Sequence, residues 1–372
     1  MNREKNMKQS KAFTGVIAAL SVVIAGSLGF AGIRYLTTDR GLIGKTEDQL
    51  VSYGNENVNV MLNRPENWHQ IAAKKLLTHG QFAGIDGSTA TIPITAELAR
   101  QFCGAVDQTD SSFPLETNVS SYLCHNKTDA AYDNLIGRKQ NRISWSQNIQ
   151  YSGYEPVFRE ETVRLIFATP PSQDELQTAE QAGVVLEADP VALDGFVFIT
   201  HKDNPVDSLT VQQIRDIYTG KITNWKDVGG KNEKIRAFQR TKNSGSQTAM
   251  EELVMQGKPM KEAPVAFIAE DMGSLVELVA EYENETAAIG YTYYYYINNL
   301  YKNPDIKVIK IDGISPENEN LVSGAYPFTA SYDVVIRGDE PEDSVYRNLR
   351  DYMLSDEGQE IIRLAGYCPV KG

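Results

Sequence analysis

The consecutive stretches LDGFVFIT (193–200), HKDNPVDSL (201–209) and TVQQIRDIYTG (210–220) decide the fold. Gly195 to Ile199 is a short apolar run bounded by turn residues, the pattern of a buried strand. Thr210 with Gln213 three positions on forms a capping box, and Val211, Ile214 and Tyr218 make one apolar stripe. Gly220 stands where a helix ends in the left-handed region that glycine enters without strain. The pattern predicts a helix over 211–219. Outward from this unit the same alternation recurs. Arg164–Ala168, Lys307–Ile311 and Tyr332–Ile336 are further apolar runs between turn signals. Strands interleaved with helices imply an α/β fold with a largely parallel sheet. Toward the end, Val345, Leu349 and Met353, then Ile361, Ile362 and Leu364 before Gly366, predict helix across Ser344–Leu364. The aromatic run Tyr291–Tyr296 fits core and hinge packing, because tyrosine buries its ring and keeps its hydroxyl in contact with polar groups.

Composition narrows the function. The 372 residues carry 36 basic and 49 acidic side chains, a formal charge of −13, which argues against a nucleic-acid binder that must displace counterions with a positive face. At 41% apolar and 23% charged the chain supports a core, and its length exceeds what one core usually serves, so two lobes are expected. Cys103, Cys124 and Cys368 contain no CxxC pair; Cys103 and Cys124 suit either one bridge or packed thiols. His69, His79, His125 and His201 are scattered singly, with no grouping that holds a transition metal. No cofactor is implied.

Ala12 to Ile33 is uncharged and follows Arg3, Lys5, Lys8 and Lys11. As a helix it spans roughly 33 Å, about a hydrocarbon layer, which suits an uncleaved anchor better than a signal peptide with its shorter apolar region. The basic flank keeps that end cytoplasmic, so the body faces outward; a cleaved signal would export it as well. Polar, glycine-punctuated residues 37–60 read as a tether.

Three segments place small hydroxyl or glycine residues just ahead of an amphipathic helix. Asp86-Gly87-Ser88-Thr89-Ala90 leads through Pro93 into Ile94, Leu98 and Phe102. Lys127-Thr128-Asp129 precedes Ala131, Tyr132, Leu135 and Ile136. Ser244-Gly245-Ser246 precedes Met250, Leu253 and Val254, with Arg240 just upstream. Each offers unpaired backbone N–H groups, the positive end of a helix dipole and a hydroxyl donor, together suited to a tetrahedral oxyanion. Taken singly, such a residue is an ordinary N-cap. Arg240 adds a guanidinium able to hold an oxyanion through two charge-assisted bonds, although an acidic chain also offers it a surface ion pair.

Through these residues the chain resembles the phosphate-binding substrate proteins of bacterial ABC transporters, in a cell-surface form. The likeness runs from 193 through Lys221-Ile-Thr-Asn-Trp-Lys-Asp-Val-Gly-Gly230 and takes in Asp86-Gly-Ser-Thr89, Arg240 with Ser244-Gly-Ser246, Ala288-Ile-Gly-Tyr291, Ser355-Asp-Glu-Gly-Gln-Glu-Ile-Ile362 and Ala365-Gly-Tyr367. It implies an α/β, two-lobed periplasmic-binding-protein-like fold of type II, with two hinge strands and the ligand in the interlobe cleft. Residues 1–36 are then an anchor or signal and 37–60 a tether. Lobe one is 61–200 with 327–372, lobe two is 203–326, and the crossings fall near Ile199–Pro205 and Tyr326–Tyr332. The ligand set carried over is Ser88, Thr89 and the backbone of Ala90, Thr128, Arg240, Ser244, Gly245 and Ser246. The implied role is non-enzymatic: a monomer that captures inorganic phosphate or a similar oxyanion outside the cell and offers it to an ABC transporter permease.

Two departures qualify the resemblance. Many members carry an acidic side chain after the strand matching Leu165–Thr169, where it accepts a proton from the ligand; here Pro170 and Pro171 follow, leaving Asp129 as a substitute acceptor. Gln140–Glu161, with Trp145, Tyr151 and Tyr154, lengthens one connection. These departures favour, as the alternative, a surface interaction or signalling protein that kept the fold and lost or changed the anion. A hydrolase has less support: there is no nucleophile elbow, and Glu251 and Glu252 suit a solvated helix face.

Overall fold

The computed structural model describes residues 67–71, 75–106, 118–141, 162–282 and 286–371. The apolar run 12–33, the tether 37–60 and most of the extra segment, 142–161, lie outside the described residues, and among those described no helix is long and apolar enough to cross a membrane.

One long strand organises the molecule. β3 (Leu186–His201) pairs over its first half with β10 (Thr329–Arg337) and over its second half with β8 (Ala288–Tyr293) and β9 (Ile306–Ile311), all antiparallel. The change of partner falls at Gly195 and Phe196, a few residues before the predicted crossing. On one side, β10 continues to β2 (Leu165–Ala168), which runs parallel to β1 (Ile85–Gly87). On the other, β8 pairs in parallel with β5 (Arg236–Ala237), and β9 with β4 (Ser208–Leu209). β6 (Gln239–Arg240) and β7 (Ile268–Ala269) form a separate parallel pair. The sheet is therefore mixed. The parallel expectation holds at its outer pairs and fails at its centre, where β3 runs antiparallel to β10, β8 and β9.

The predicted helix appears as α4 (Val211–Tyr218), with Thr210 Oγ1 accepting from Gln213 N at 3.1 Å and Gly220 at φ +80°. The C-terminal stretch is two helices rather than one, α8 (Val345–Met353) and α9 (Asp356–Leu364), because Ser355 caps the second by accepting from Gly358 N. The tyrosine run packs as expected. Tyr291 and Tyr293 are buried, and edge-to-face contacts join Phe196 to Tyr293 and Tyr218 to Tyr291, each such pair adding about 0.5–1.5 kcal/mol beyond area burial. Cys103 and Cys124 are not bonded to each other, and Cys103 Sγ donates to Leu77 O at 3.5 Å.

Where β3 changes partner, Asp194 is buried, accepting from Gly195 N (2.8 Å), Tyr295 N (3.0 Å) and Tyr332 Oη (3.1 Å). Burial pushes its carboxyl up to about 7 despite these bonds. A folded value above the unfolded one means that the stability this group contributes is complete below about pH 4 and is lost as pH rises through about 7. Asp194→Asn, which keeps an acceptor and removes the titration, is expected to gain a few degrees of melting temperature over the wild type at pH 8 relative to pH 5. Calorimetry at both pH values checks this, and a difference independent of pH contradicts it.

Candidate anion site

The first expected segment is a turn that follows β1. Ser88 ends that strand and starts a single 3-10 turn over Thr89–Thr91, which passes into α1 (Ile92–Cys103) with Pro93 in its first turn. The first amides of such a turn precede any carbonyl that could bond them internally. The loop is held from below: Ser88 N and Thr91 Oγ1 both donate to Phe167 O, at 2.9 and 2.7 Å, so the Ser88 amide is already used. His125 Nδ1 donates to Ser88 O at 2.7 Å, and its Nε2 meets Thr95 Oγ1 at 3.0 Å. A carbonyl only accepts, so Nδ1 carries the hydrogen, and full burial lowers this imidazole to about 4, keeping it neutral at pH 7. Ser88 is buried, Thr89 half-buried, and the Ala90 carbonyl accepts from Tyr367 Oη.

The second segment is tied to the first by one carboxylate. Asp86, at 0% exposure, accepts from Gly87 N (2.7 Å), Asn126 N (2.8 Å), Asn126 Nδ2 (2.9 Å) and Asn134 Nδ2 (3.0 Å). Burial raises its pKa while those four donors work the other way. Asn126 precedes Lys127, which holds φ +72° without glycine and opens α2 (Thr128–Gly137). No side chain caps α2, so Thr128 begins a helix whose first amides have no side-chain acceptor there. Asp86 thus fixes the spacing between the Ser88 turn and the Thr128 helix start.

The third segment comes from the other side of β3. Arg240 ends β6 and is only 7% exposed. Its Nε donates to Ala269 O (3.1 Å), its Nη2 to Glu270 O (3.3 Å) and its Nη1 to Ser246 Oγ (3.5 Å). Its backbone N donates to Gln247 Oε1 and to Tyr291 Oη. Every partner is neutral, and among the described residues the guanidinium has no ion pair; burial pulls its pKa down, with Asp271 the largest opposing influence. A guanidinium out of water with no carboxylate in contact among the described residues is costly, and an anion beside it offsets that cost. Ser244 caps α5 (Gly245–Ala249), accepting from Gln247 N at 3.3 Å, and the helix runs on as a wider π-turned stretch, Met250–Met255.

The segments meet at Gly245. A methyl group built there would lie 3.0 Å from Thr128 Oγ1 and 2.7 Å from Thr169 Oγ1, so only glycine allows the α5 start this close to α2 and to the end of β2. Further out, α3 (Gln173–Gln181) faces the same region: Asp174 Oδ2 lies 2.5 Å from Lys242 Nζ, an exposed pair that adds little stability but joins the two sides. Close contacts therefore link Arg240 with Ser246 and Gly245 with Thr128, while Ser88, Thr89 and Ala90 reach the group through Asp86 and Phe167. Among the described residues no cluster of His, Cys, Asp and Glu suits a metal ion.

Asp86, His125 and Asn126 give no sign of their supporting role in the sequence, because they act on one another's segments across a long stretch of chain, whereas Gln247 acts on the nearby Arg240 amide. Asp129 has a carboxyl raised by burial and by Asp133. Glu175, on the first turn of α3, is pushed up to about 7 by burial, with Asp129 and Glu252 adding to the rise.

A family model described as a PBP superfamily domain matches residues 156–357. The phosphate-binding protein PstS of Bacillus subtilis is 29% identical over 181 residues, and that of Borreliella burgdorferi 27% identical over 184, each covering 48% of this chain. The chain spans 56% and 64% of those relatives' own length. A crystal structure from Clostridium perfringens, described as a phosphate ABC transporter substrate-binding protein with bound phosphate, superposes with a TM-score of 0.54 at 27% identity, covering 77% of this chain and 98% of that one. An ABC-type phosphate transport receptor from Vibrio cholerae, at 21% identity and a TM-score of 0.50, shares the fold.

Proposed function

Because the chain belongs to the PBP superfamily, we propose that it is an extracytoplasmic solute-binding protein that captures inorganic phosphate and offers it to an ABC transporter, by binding rather than turnover. The observation that carries this reading is Arg240: a guanidinium 7% exposed, hydrogen-bonded among the described residues only to neutral oxygens and standing beside Ser246 at a helix start. A dianion supplies the missing counter-charge, and hydroxyls with first-turn amides replace its water. The names of the relatives and the phosphate in the Clostridium perfringens structure support the same ligand.

In this reading Arg240, Ser244, Gly245 and Ser246 belong to lobe two (203–326), and Ser88, Thr89, Ala90 and Thr128 to lobe one (61–200 with 327–372). The lobes close on the anion through bending of β3 and of the segment leading into β10. The chain acts as a monomer, held at the membrane by 12–33 and reaching outward through 37–60. Calorimetric titration of the full chain with inorganic phosphate is expected to give a Kd on the order of micromolar or tighter, with a melting-temperature rise when phosphate is present at many times that Kd. Absence of heat and of any shift at millimolar phosphate, sulfate and arsenate contradicts the reading.

A further inference from the structure

Thr169 directly follows β2 at the meeting point of the two sides, and its side chain serves no bond among the described residues. It is 4% exposed, yet Oγ1 has no hydrogen-bond partner among the described residues. Its carbonyl is occupied, accepting from Tyr132 Oη at 2.8 Å. A methyl group on Gly245 would lie 2.7 Å from Thr169 Oγ1 and 3.3 Å from its Cγ2, so the hydroxyl faces the α5 start, alongside Thr128 Oγ1. Buried hydroxyls in folded proteins are nearly always bonded, and one without a partner loses its hydration for no return. The residues that follow, Pro170 and Pro171, have neither an amide hydrogen nor a charge to offer.

The geometry points to Thr169 Oγ1 as a direct contact for the bound anion and as a determinant of which tetrahedral anions the site accepts, an inference that rests on the receptor reading above. A hydroxyl has one hydrogen to give and two lone pairs. It donates to a bare oxygen of sulfate or phosphate, and it accepts from the protonated oxygen of hydrogen phosphate. A carboxylate in its place would only accept and would repel an anion with no hydrogen. With Thr169 there, sulfate binds within about ten-fold of phosphate.

The test is calorimetric titration of the full chain, Thr169→Val and Thr169→Ser with inorganic phosphate and with sulfate, alongside thermal unfolding of each without anion. The wild type is expected to bind both anions within about ten-fold of each other, and Thr169→Val to weaken both by about ten-fold or more. Thr169→Ser restores binding. Without anion Thr169→Val melts no lower than wild type, since the unbonded hydroxyl is gone. A wild type that binds phosphate while Thr169→Val binds it equally well overturns the contact and leaves the receptor reading standing. Weakening matched by a lower anion-free melting temperature reassigns Thr169 to packing, and a wild type that binds phosphate and refuses sulfate overturns the selectivity. Silence toward both anions overturns this inference together with the receptor reading.

Discussion

Arg240→Ala is expected to weaken phosphate binding by at least about a hundred-fold, because it removes two or more charge-assisted bonds from a desolvated site. The fold should tolerate the change. The lost donors leave the carbonyls of Ala269 and Glu270 without Arg240, but removing a buried charge that no carboxylate touches among the described residues offsets part of that cost. The melting temperature without anion then moves by only a few degrees, while the rise caused by phosphate disappears. Arg240→Lys keeps the charge and loses the planar fork, and should fall between the two. Calorimetric titration of the three proteins separates this account from one in which Arg240 only braces β6: a bracing role lowers anion-free stability in both variants and leaves the affinity of the folded fraction intact.

The second large effect concerns a residue that touches no ligand. Asp86→Ala strands four N–H donors, two of them backbone amides, around a carboxylate that is itself fully buried. The expected loss is about 3–5 kcal/mol of stability, which for a chain of this size lowers the melting temperature by about 6–10 °C. Phosphate affinity should fall as well, since Asp86 is the main tie between the Ser88 turn and the Thr128 helix start, with His125 on Ser88 O and Asn141 on Ile85 O as lesser supports. Asp86→Asn, which retains acceptor capacity at one oxygen and turns the other into a donor facing donors, should be intermediate. Chemical denaturation read by fluorescence gives the stability term, and titration of the folded variants gives the binding term. Equal stability of Asp86→Ala and wild type would contradict this role.

What the sequence discloses depends on how local the governing interaction is. Helix 211–219 is legible because its cap, stripe and terminal glycine lie within eleven residues of one another. β3 is only half legible. Its inner half, Gly195–Ile199, is a clean apolar run, whereas its outer half carries Glu187, Asp189 and Pro190 and gives no strand signal; pairing with β10 overrides that local preference. Taken as one helical stretch, 344–364 hid a break that Ser355 marks as a cap. Among the candidate site residues, Thr128, Ser246 and Arg240 stand out in the sequence because helix starts and a nearby guanidinium are short-range patterns. Thr169 and Asp86 are not, because their significance lies in contacts reaching 76 and 40 to 48 residues along the chain, with Gly245 and with Asn126 and Asn134.

The claim on which the rest depends is that the buried Arg240 guanidinium and the hydroxyls at Thr128, Thr169 and Ser246 surround one small anion. A crystal structure of the chain grown with inorganic phosphate tests it most directly. The account predicts tetrahedral density within hydrogen-bonding distance of Arg240 and of hydroxyls from both sides of β3. Arg240 found paired with a carboxylate of the protein, or phosphate bound elsewhere with Gly245 still packed on Thr128 and Thr169, would contradict it.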